Sequence, residues 1–385
     1  MASKIKRNYL PEISALLFGR SKPGMVTVNL TERCDQKCIY CEIGKNIPSS
    51  REGQLAVDDL KWIIGQMAEN SIPKISLNGG EPFLFDGLFD VVSYANEKNI
   101  RCTITTNGMI VHKLKDADFK VLKDSETEIN ISIDSFREEI QTRTRGTASA
   151  LSNALNSLQR LNEKGIPVTV LCAISKYNYH HLSEFFQEAF KMGIKQVLFQ
   201  PIIYYSNFPD RPVIEDKSRL NVGIDQLDVL MEELKKILYF EQKHGIKTNV
   251  YRIFPWIKFY LTTAETGQGW FFKDVLKKFF CRELYAIIDI SYDGGIQPCG
   301  QALAKTTIYE NREIGLMKQW SKATAGIKGD LENDRYYDFC NGCCHHFSRN
   351  MLASIAKHPI KNRVALYNVF SLVFMRNLYG IFNRK

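Results

Sequence analysis

Arg33-Cys34-Asp35-Gln36-Lys37-Cys38-Ile39-Tyr40-Cys41 places three thiols in the spacing Cys-x3-Cys-x2-Cys. Thiols packed this closely suit a cube of iron and sulfide better than a disulfide. A [4Fe–4S] cluster normally takes four protein thiolates, so three leave one iron open to bind and activate another molecule. On spacing alone zinc stays open as well, since structural zinc takes four Cys or His ligands. The preceding stretch, Met25-Val26-Thr27-Val28-Asn29-Leu30, alternates and is β-branched, so it reads as a strand leading into the cysteines.

Working outward, Tyr40 offers a flat ring beside the last cysteine. The apolar run Lys74-Ile75-Ser76-Leu77 leads directly into Asn78-Gly79-Gly80-Glu81-Pro82. Two glycines let backbone approach a ligand closely, and Glu81 supplies a carboxylate for an ammonium group. With the cysteine loop, the aromatic residue before the final Cys and the Gly-Gly-Glu-Pro turn in this order, the chain resembles the radical S-adenosylmethionine (SAM) enzymes. The resemblance implies that Cys34, Cys38 and Cys41 ligate a [4Fe–4S] cluster whose open iron is chelated by SAM. It implies reductive cleavage of SAM to methionine and a 5′-deoxyadenosyl radical, which abstracts a hydrogen atom from substrate. It also places Tyr40 near the adenine and the Gly79–Glu81 turn at the SAM amino group. A low-potential electron donor such as flavodoxin or ferredoxin follows from the same resemblance.

Strand-like runs recur at 25–30, 73–77, 101–105, 128–134, 167–174 and 195–202, with helix-period segments between them, such as Val57–Met67 and Ala154–Leu161. This alternation predicts an α/β fold with a parallel sheet. Six units are too few for a closed eightfold barrel, so the expectation is a partial (β/α)6 TIM-like barrel with ligands at the carboxyl ends of its strands. Asn107 closes the third strand within Thr105-Thr106-Asn107-Gly108. Ser132 and Asp134 share a face of the fourth by the two-residue period and suit a ribose diol. Arg143 or Arg145 suits the SAM carboxylate through the guanidinium fork. The alternatives are that Asn107 turns the chain, Asp134 caps a helix and the arginines are solvated.

Cys281 and Cys299 bracket Tyr285–Ile290 and Asp293-Gly294-Gly295-Ile296-Gln297-Pro298, which reads as a hairpin with an Asp-Gly turn. Cys340-Asn341-Gly342-Cys343-Cys344 follows. This arrangement resembles twitch, the shorter relative of the SPASM extension found after the barrel in a branch of radical SAM enzymes. It implies a small α+β domain with a second, auxiliary [4Fe–4S] cluster on Cys281, Cys299, Cys340 and Cys343, with Cys344 as a rival to Cys343. A four-cysteine zinc knuckle is the alternative. His345 and His346 read as surface or packed residues, and Cys102 and Cys172, inside strands, as small buried hydrophobes.

The resulting organisation is a basic amphipathic segment (1–22), the barrel (23–223), a helical connector (224–280), the twitch-like domain (281–350) and a basic apolar helix (351–385). Ten cysteines with metal-type spacing argue for a reducing, cytoplasmic setting over a disulfide framework. No secretory signal and no run of about 20 apolar residues is visible. The net charge of +9 is concentrated at the ends, +4 over residues 1–22 and +6 over 351–385, leaving the body near neutral. Apolar runs flanked by Lys and Arg suit an interfacial anchor on the inner face of an anionic membrane; packing of the terminal helix on the barrel is the alternative. Nucleic acid is not indicated, because no recognised binding module accompanies the charge.

The leading expectation for substrate is a lipid or lipid-linked sugar. The alternatives are a peptide matured by modification and a small sugar undergoing dehydrogenation or epimerisation. About 25 residues precede the first strand, too few for a leader-peptide recognition domain, which weakens the peptide alternative. A non-catalytic iron–sulfur or zinc scaffold or electron carrier is the reading outside enzymes, and the intact Gly79–Pro82 turn speaks against it.

Overall fold

The computed structural model describes residues 22–41, 43, 54–202, 220–265, 280–300 and 302–337, with Cys340, Cys343 and positions 359–361 and 363 beyond. The basic apolar termini for the most part, and Cys344, His345 and His346, lie outside the described residues.

The six expected strands form: β1 (Met25–Asn29), β2 (Lys74–Asn78), β3 (Arg101–Thr106), β4 (Glu128–Ser132), β5 (Val168–Ile174) and β6 (Gln196–Pro201). Each pairs in parallel with the next. The crossovers carry α1 (Val57–Glu69), α2 (Leu88–Glu97), α3 (Asp116–Asp124), α4 (Glu138–Arg145), α5 (Ala150–Glu163) and α6 (Leu182–Lys191). The result is the TIM-like partial barrel. The first of these helices shows why the segments fold as they do. Asp59 accepts a hydrogen bond from the Ala56 N–H at 3.0 Å, fixing the N-terminus. Leu60, Ile63, Ile64 and Met67 then fall on one stripe and are completely buried. Each such side chain is worth about 1.5–3 kcal/mol of apolar transfer.

The strands alternate in burial, and that positions the site. Val26 and Val28, Ile75 and Leu77, and Ile129 and Ile131 are buried in the core. Their neighbours Thr27, Asn29, Ser76, Asn78, Asn130 and Ser132 point the other way and remain half-buried. Parallel sheets covered on both faces read as near-continuous apolar runs; this sheet has one polar face. In register, Asn29 stands beside Asn78 and Thr105 beside Asn130, with Asn130 Nδ2 donating to Thr105 Oγ1 at 3.3 Å.

Four further strands extend the sheet. β7 (Lys247–Thr248) joins β6 in parallel. It lies between α7 (Leu227–His244) and α8 (Val250–Glu265), inside the segment expected to be a helical connector. After α9 (Glu283–Ala286), β8 (Ile287–Ile290) and β9 (Gly295–Gln297) form the expected hairpin. Asp293 closes its turn by accepting from the Gly295 N–H at 3.1 Å, and Gly294 takes φ +81°, where a Cβ would be strained. β10 (Thr306–Thr307) follows, then α10 (Leu316–Glu332). β8 pairs in parallel with β1, from Met25 opposite Ile287 to Val28 opposite Ile290. The order is therefore β10-β9-β8-β1-β2-β3-β4-β5-β6-β7, one ten-stranded sheet among the described residues. Ile288, Ile290, Ile296 and Trp320 share a core with Val26 and Ile75.

Candidate active site

The first four strands all end at the same place. The cysteine loop follows β1, the Gly79–Pro82 turn follows β2, Asn107 follows β3 and Asp134 follows β4. Backbone contacts clamp the loop: Gly80 N–H donates to Thr31 O at 2.6 Å, Glu81 N–H to Arg33 O at 2.7 Å and Ile39 N–H to Thr144 O at 3.0 Å. The glycines are needed for this clamp. A Cβ at Gly80 would lie 2.1 Å from Arg33 O, and one at Gly79, where φ is +131°, 2.6 Å from Thr31 O. The close approach expected toward a ligand is made here toward the chain's own backbone.

Glu81 is completely buried. Its carboxylate accepts from Thr106 Oγ1 at 2.7 Å, the Asn107 N–H at 2.8 Å and the Phe83 N–H at 3.1 Å. Burial pushes its pKa up to about 7 against those three donors. The carboxylate expected to meet an ammonium group is thus engaged internally, and the turn presents backbone instead. Asn107 links β3 to the loop, donating through Nδ2 to Asp35 Oδ1 at 2.6 Å and lying 3.7 Å from Cys34 Sγ.

A second group forms around Asp134, which is 1% exposed. Its Oδ1 accepts from Arg145 Nη2 at 2.6 Å and the Ala173 N–H at 2.9 Å, and its Oδ2 from the Tyr40 hydroxyl at 2.6 Å. The Arg145 guanidinium lies 5.6 Å from the Tyr40 ring centroid. Tyr40, Asp134 and Arg145 therefore come together. Ser132 stays on the half-buried polar face, and Arg143 is exposed, 4.3 Å over the Tyr177 ring.

Two residues at this site escape the sequence reading. Gln141 accepts from the Asp134 and Ser135 N–H groups at 2.8 and 3.2 Å. Asn178 donates to Asp134 O and Ala173 O at 2.9 and 2.8 Å. Gln141 sits four residues before Arg145 on α4, so the helical period was the available signal.

Burial pushes the Cys34 thiol up to about 12, opposed by the Gln36 N–H. It pushes Cys38 up to about 11, opposed by Arg145. A thiol that coordinates a metal is deprotonated outright, so a bound cluster would replace these protons. Two buried donors beside them, Arg145 Nε and Gln36 Nε2, have no partner. A thiolate-rich anionic group fits that donor set.

Cys281, Cys299 and Cys340 pack against one core together with Leu284, Tyr285 and Tyr337. Burial raises Cys281 well above the ordinary thiol range, and the neighbouring Cys299 and Cys340 add to the shift. The Cys343 N–H donates to Cys340 O at 3.4 Å. No disulfide links the nine described cysteines, and Cys102 and Cys172 are buried in the core as expected. Among the described residues no three His, Cys, Asp or Glu side chains are gathered around a single-ion site.

Residues 28–189 match the model of the radical SAM superfamily. The chain is 29% identical over 223 residues to the Fe-coproporphyrin III synthase of Methanosarcina barkeri, covering 58% of this chain and 54% of that relative, about half its length. Streptococcus suis SuiB bound to its precursor peptide SuiA superposes with a TM-score of 0.58 at 18% identity, over 84% of this chain and 71% of SuiB. AdoMet-bound anSMEcpe gives 0.61 at 14% identity, over 93% and 99%. At those identities the likeness to the two structures is one of fold. The match runs from β1 to α6, so this part of the chain carries a radical SAM domain, whose cofactors are a [4Fe–4S] cluster and S-adenosylmethionine.

Proposed function

We propose that Cys34, Cys38 and Cys41 hold the SAM-binding cluster, that Cys281, Cys299, Cys340 and Cys343 hold a second [4Fe–4S] cluster, and that the enzyme modifies a peptide by hydrogen-atom abstraction. The observation that carries this reading is the clamped cysteine loop at the strand ends, with two unpartnered buried donors beside it. When bound, cluster and SAM supply the 5′-deoxyadenosyl radical. The chain's own residues then divide the remaining work. Asn107 and the Gly79–Glu81 backbone hold the loop in place, and that backbone is what meets the SAM amino group. Tyr40 offers its ring to the adenine, and Ser132 offers a hydroxyl from the open polar face. Asp134 and Arg145 fix Tyr40 from behind. The half-buried amides and hydroxyls of the sheet, Asn29, Asn78, Thr105 and Asn130, suit a substrate rich in hydrogen-bonding groups, as a peptide is. SuiB, crystallised with a precursor peptide, supports the same substrate class. A low-potential protein such as flavodoxin or ferredoxin would deliver the electron.

A lipid or lipid-linked sugar is the second reading, resting on the basic apolar composition of residues 351–385. Among the described residues no helix is long and apolar enough to cross a membrane. Liposome flotation of the full chain against one ending at Met351 decides it: equal recovery in the aqueous fraction removes the lipid reading. For the chemistry, anaerobically reconstituted protein given SAM and dithionite should form 5′-deoxyadenosine and methionine. Absence of both products with iron bound would leave only an iron–sulfur scaffold.

A further inference from the structure

Arg145 is built into its place more thoroughly than a ligand-binding arginine needs to be. Its side chain is 9% exposed and its Asp134 partner 0%. One nitrogen of the fork is committed to Asp134 at 2.6 Å, the guanidinium lies over Tyr40, and the Ile39 N–H next to Cys38 donates to the O of Thr144, next to Arg145, at 3.0 Å. Asp134 is anchored in turn by the Tyr40 hydroxyl and the Ala173 N–H, and its own N–H is held by Gln141. Groups from the loop, the end of β4, α4 and β5 thus enclose one cation beside the cysteine loop. A buried charge is screened little by solvent or salt, so it is felt strongly by any charge change in that loop.

We propose that Arg145 is a positioning residue that sets the reduction potential of the cluster held by Cys38, with Asp134 tempering its charge. This rests on reading Cys34, Cys38 and Cys41 as ligands. Reduction adds one electron to the cluster, and net charge and hydrogen bonds to sulfur are among the levers on its potential. A cation beside Cys38 favours the reduced form and a carboxylate opposes it. The two members of the pair therefore act with opposite signs, which a purely structural role does not require.

The test is a potentiometric titration of the full-length, anaerobically reconstituted chain without SAM. It is followed in the electron paramagnetic resonance signal that the Cys34→Ala/Cys38→Ala/Cys41→Ala variant lacks. Arg145→Met should lower the reduced-to-oxidised ratio at fixed potential by about tenfold, equivalent to about 59 mV for a one-electron couple. Asp134→Asn should raise the ratio, and Arg145→Lys should stay near wild type. Equal potentials in all four proteins, or shifts of the same sign in Arg145→Met and Asp134→Asn, overturn the proposal. If Arg145→Met does not hold iron, Asp134→Asn and Arg145→Lys decide alone: an unmoved Asp134→Asn overturns it. Failure of the ligand reading looks different, because the triple variant would then keep its full iron content and signal.

Discussion

The Tyr40 hydroxyl donates to Asp134 Oδ2 at 2.6 Å, joining the last turn of the cysteine loop to the end of β4 across 94 residues of sequence. A hydrogen bond to a charged group is worth about 1.5–3 kcal/mol. Tyr40→Phe keeps the ring and removes only that bond, while Arg145 and the Ala173 N–H remain on Asp134. Urea unfolding should show a loss of about 2 kcal/mol with unchanged iron content. A variant as stable as wild type would mean that the bond does not hold the loop.

Gly80 allows no side chain. Alanine there would place a Cβ 2.1 Å from Arg33 O, and both members of that contact are backbone. Gly80→Ala must therefore push the turn off the loop and break the bonds from Gly80 and Glu81 to Thr31 and Arg33. The expected result is a folded barrel by circular dichroism that retains less than half the wild-type iron at the loop. Full retention would show that the clamp is dispensable.

Iron counting separates the two cysteine sets. Wild type should hold about eight irons after anaerobic reconstitution, and the Cys34/Cys38/Cys41 triple alanine variant about four, as two cubes require. About four falling to none, with one zinc retained, would assign Cys281, Cys299, Cys340 and Cys343 to a structural zinc site.

Away from the site, Glu233 on α7 accepts from Ser183 N–H and Oγ at 2.9 and 2.6 Å in the first turn of α6, and from Lys236 at 2.7 Å. It serves as a tertiary cap for a neighbouring helix. Burial works to raise its pKa, but the bonds from Lys236 and Ser183 prevail and hold it below the ordinary value of 4.5. A carboxyl depressed by folding contributes stability above its unfolded pKa and loses it as pH falls through the folded one. Glu233→Gln should therefore be less stable than wild type at pH 7, with the gap narrowing below about pH 4.5. A gap independent of pH would remove the charge from the account.

The six barrel strands were legible because each is an apolar or β-branched run of at least five residues, and helix-period segments separate them. β7 has two residues, too few for any period to show. The union of β8 with β1 joins residues more than 250 positions apart, and no local pattern specifies such a partner. At the site the residue types were legible and their orientations were not. Glu81 follows two glycines, and only the folded turn shows its carboxylate directed under β3. Ser132 and Asp134 were expected on one face, but β4 ends at Ser132, so the strand period no longer governs Asp134.

The pairing of β8 with β1 also bears on how such a chain can be recombined. β1 leads into Cys34 at one end and lends an edge to the hairpin that precedes Cys299. A crossover placed at residue 281, where composition suggests a border, would exchange a strand from the middle of a shared sheet. The recipient would keep an unmated edge on the very strand that carries its cysteine loop, a surface prone to pairing with other chains. Grafts of the segment from residue 281 onward should succeed only where the incoming strand matches the alternation of Val26 and Val28.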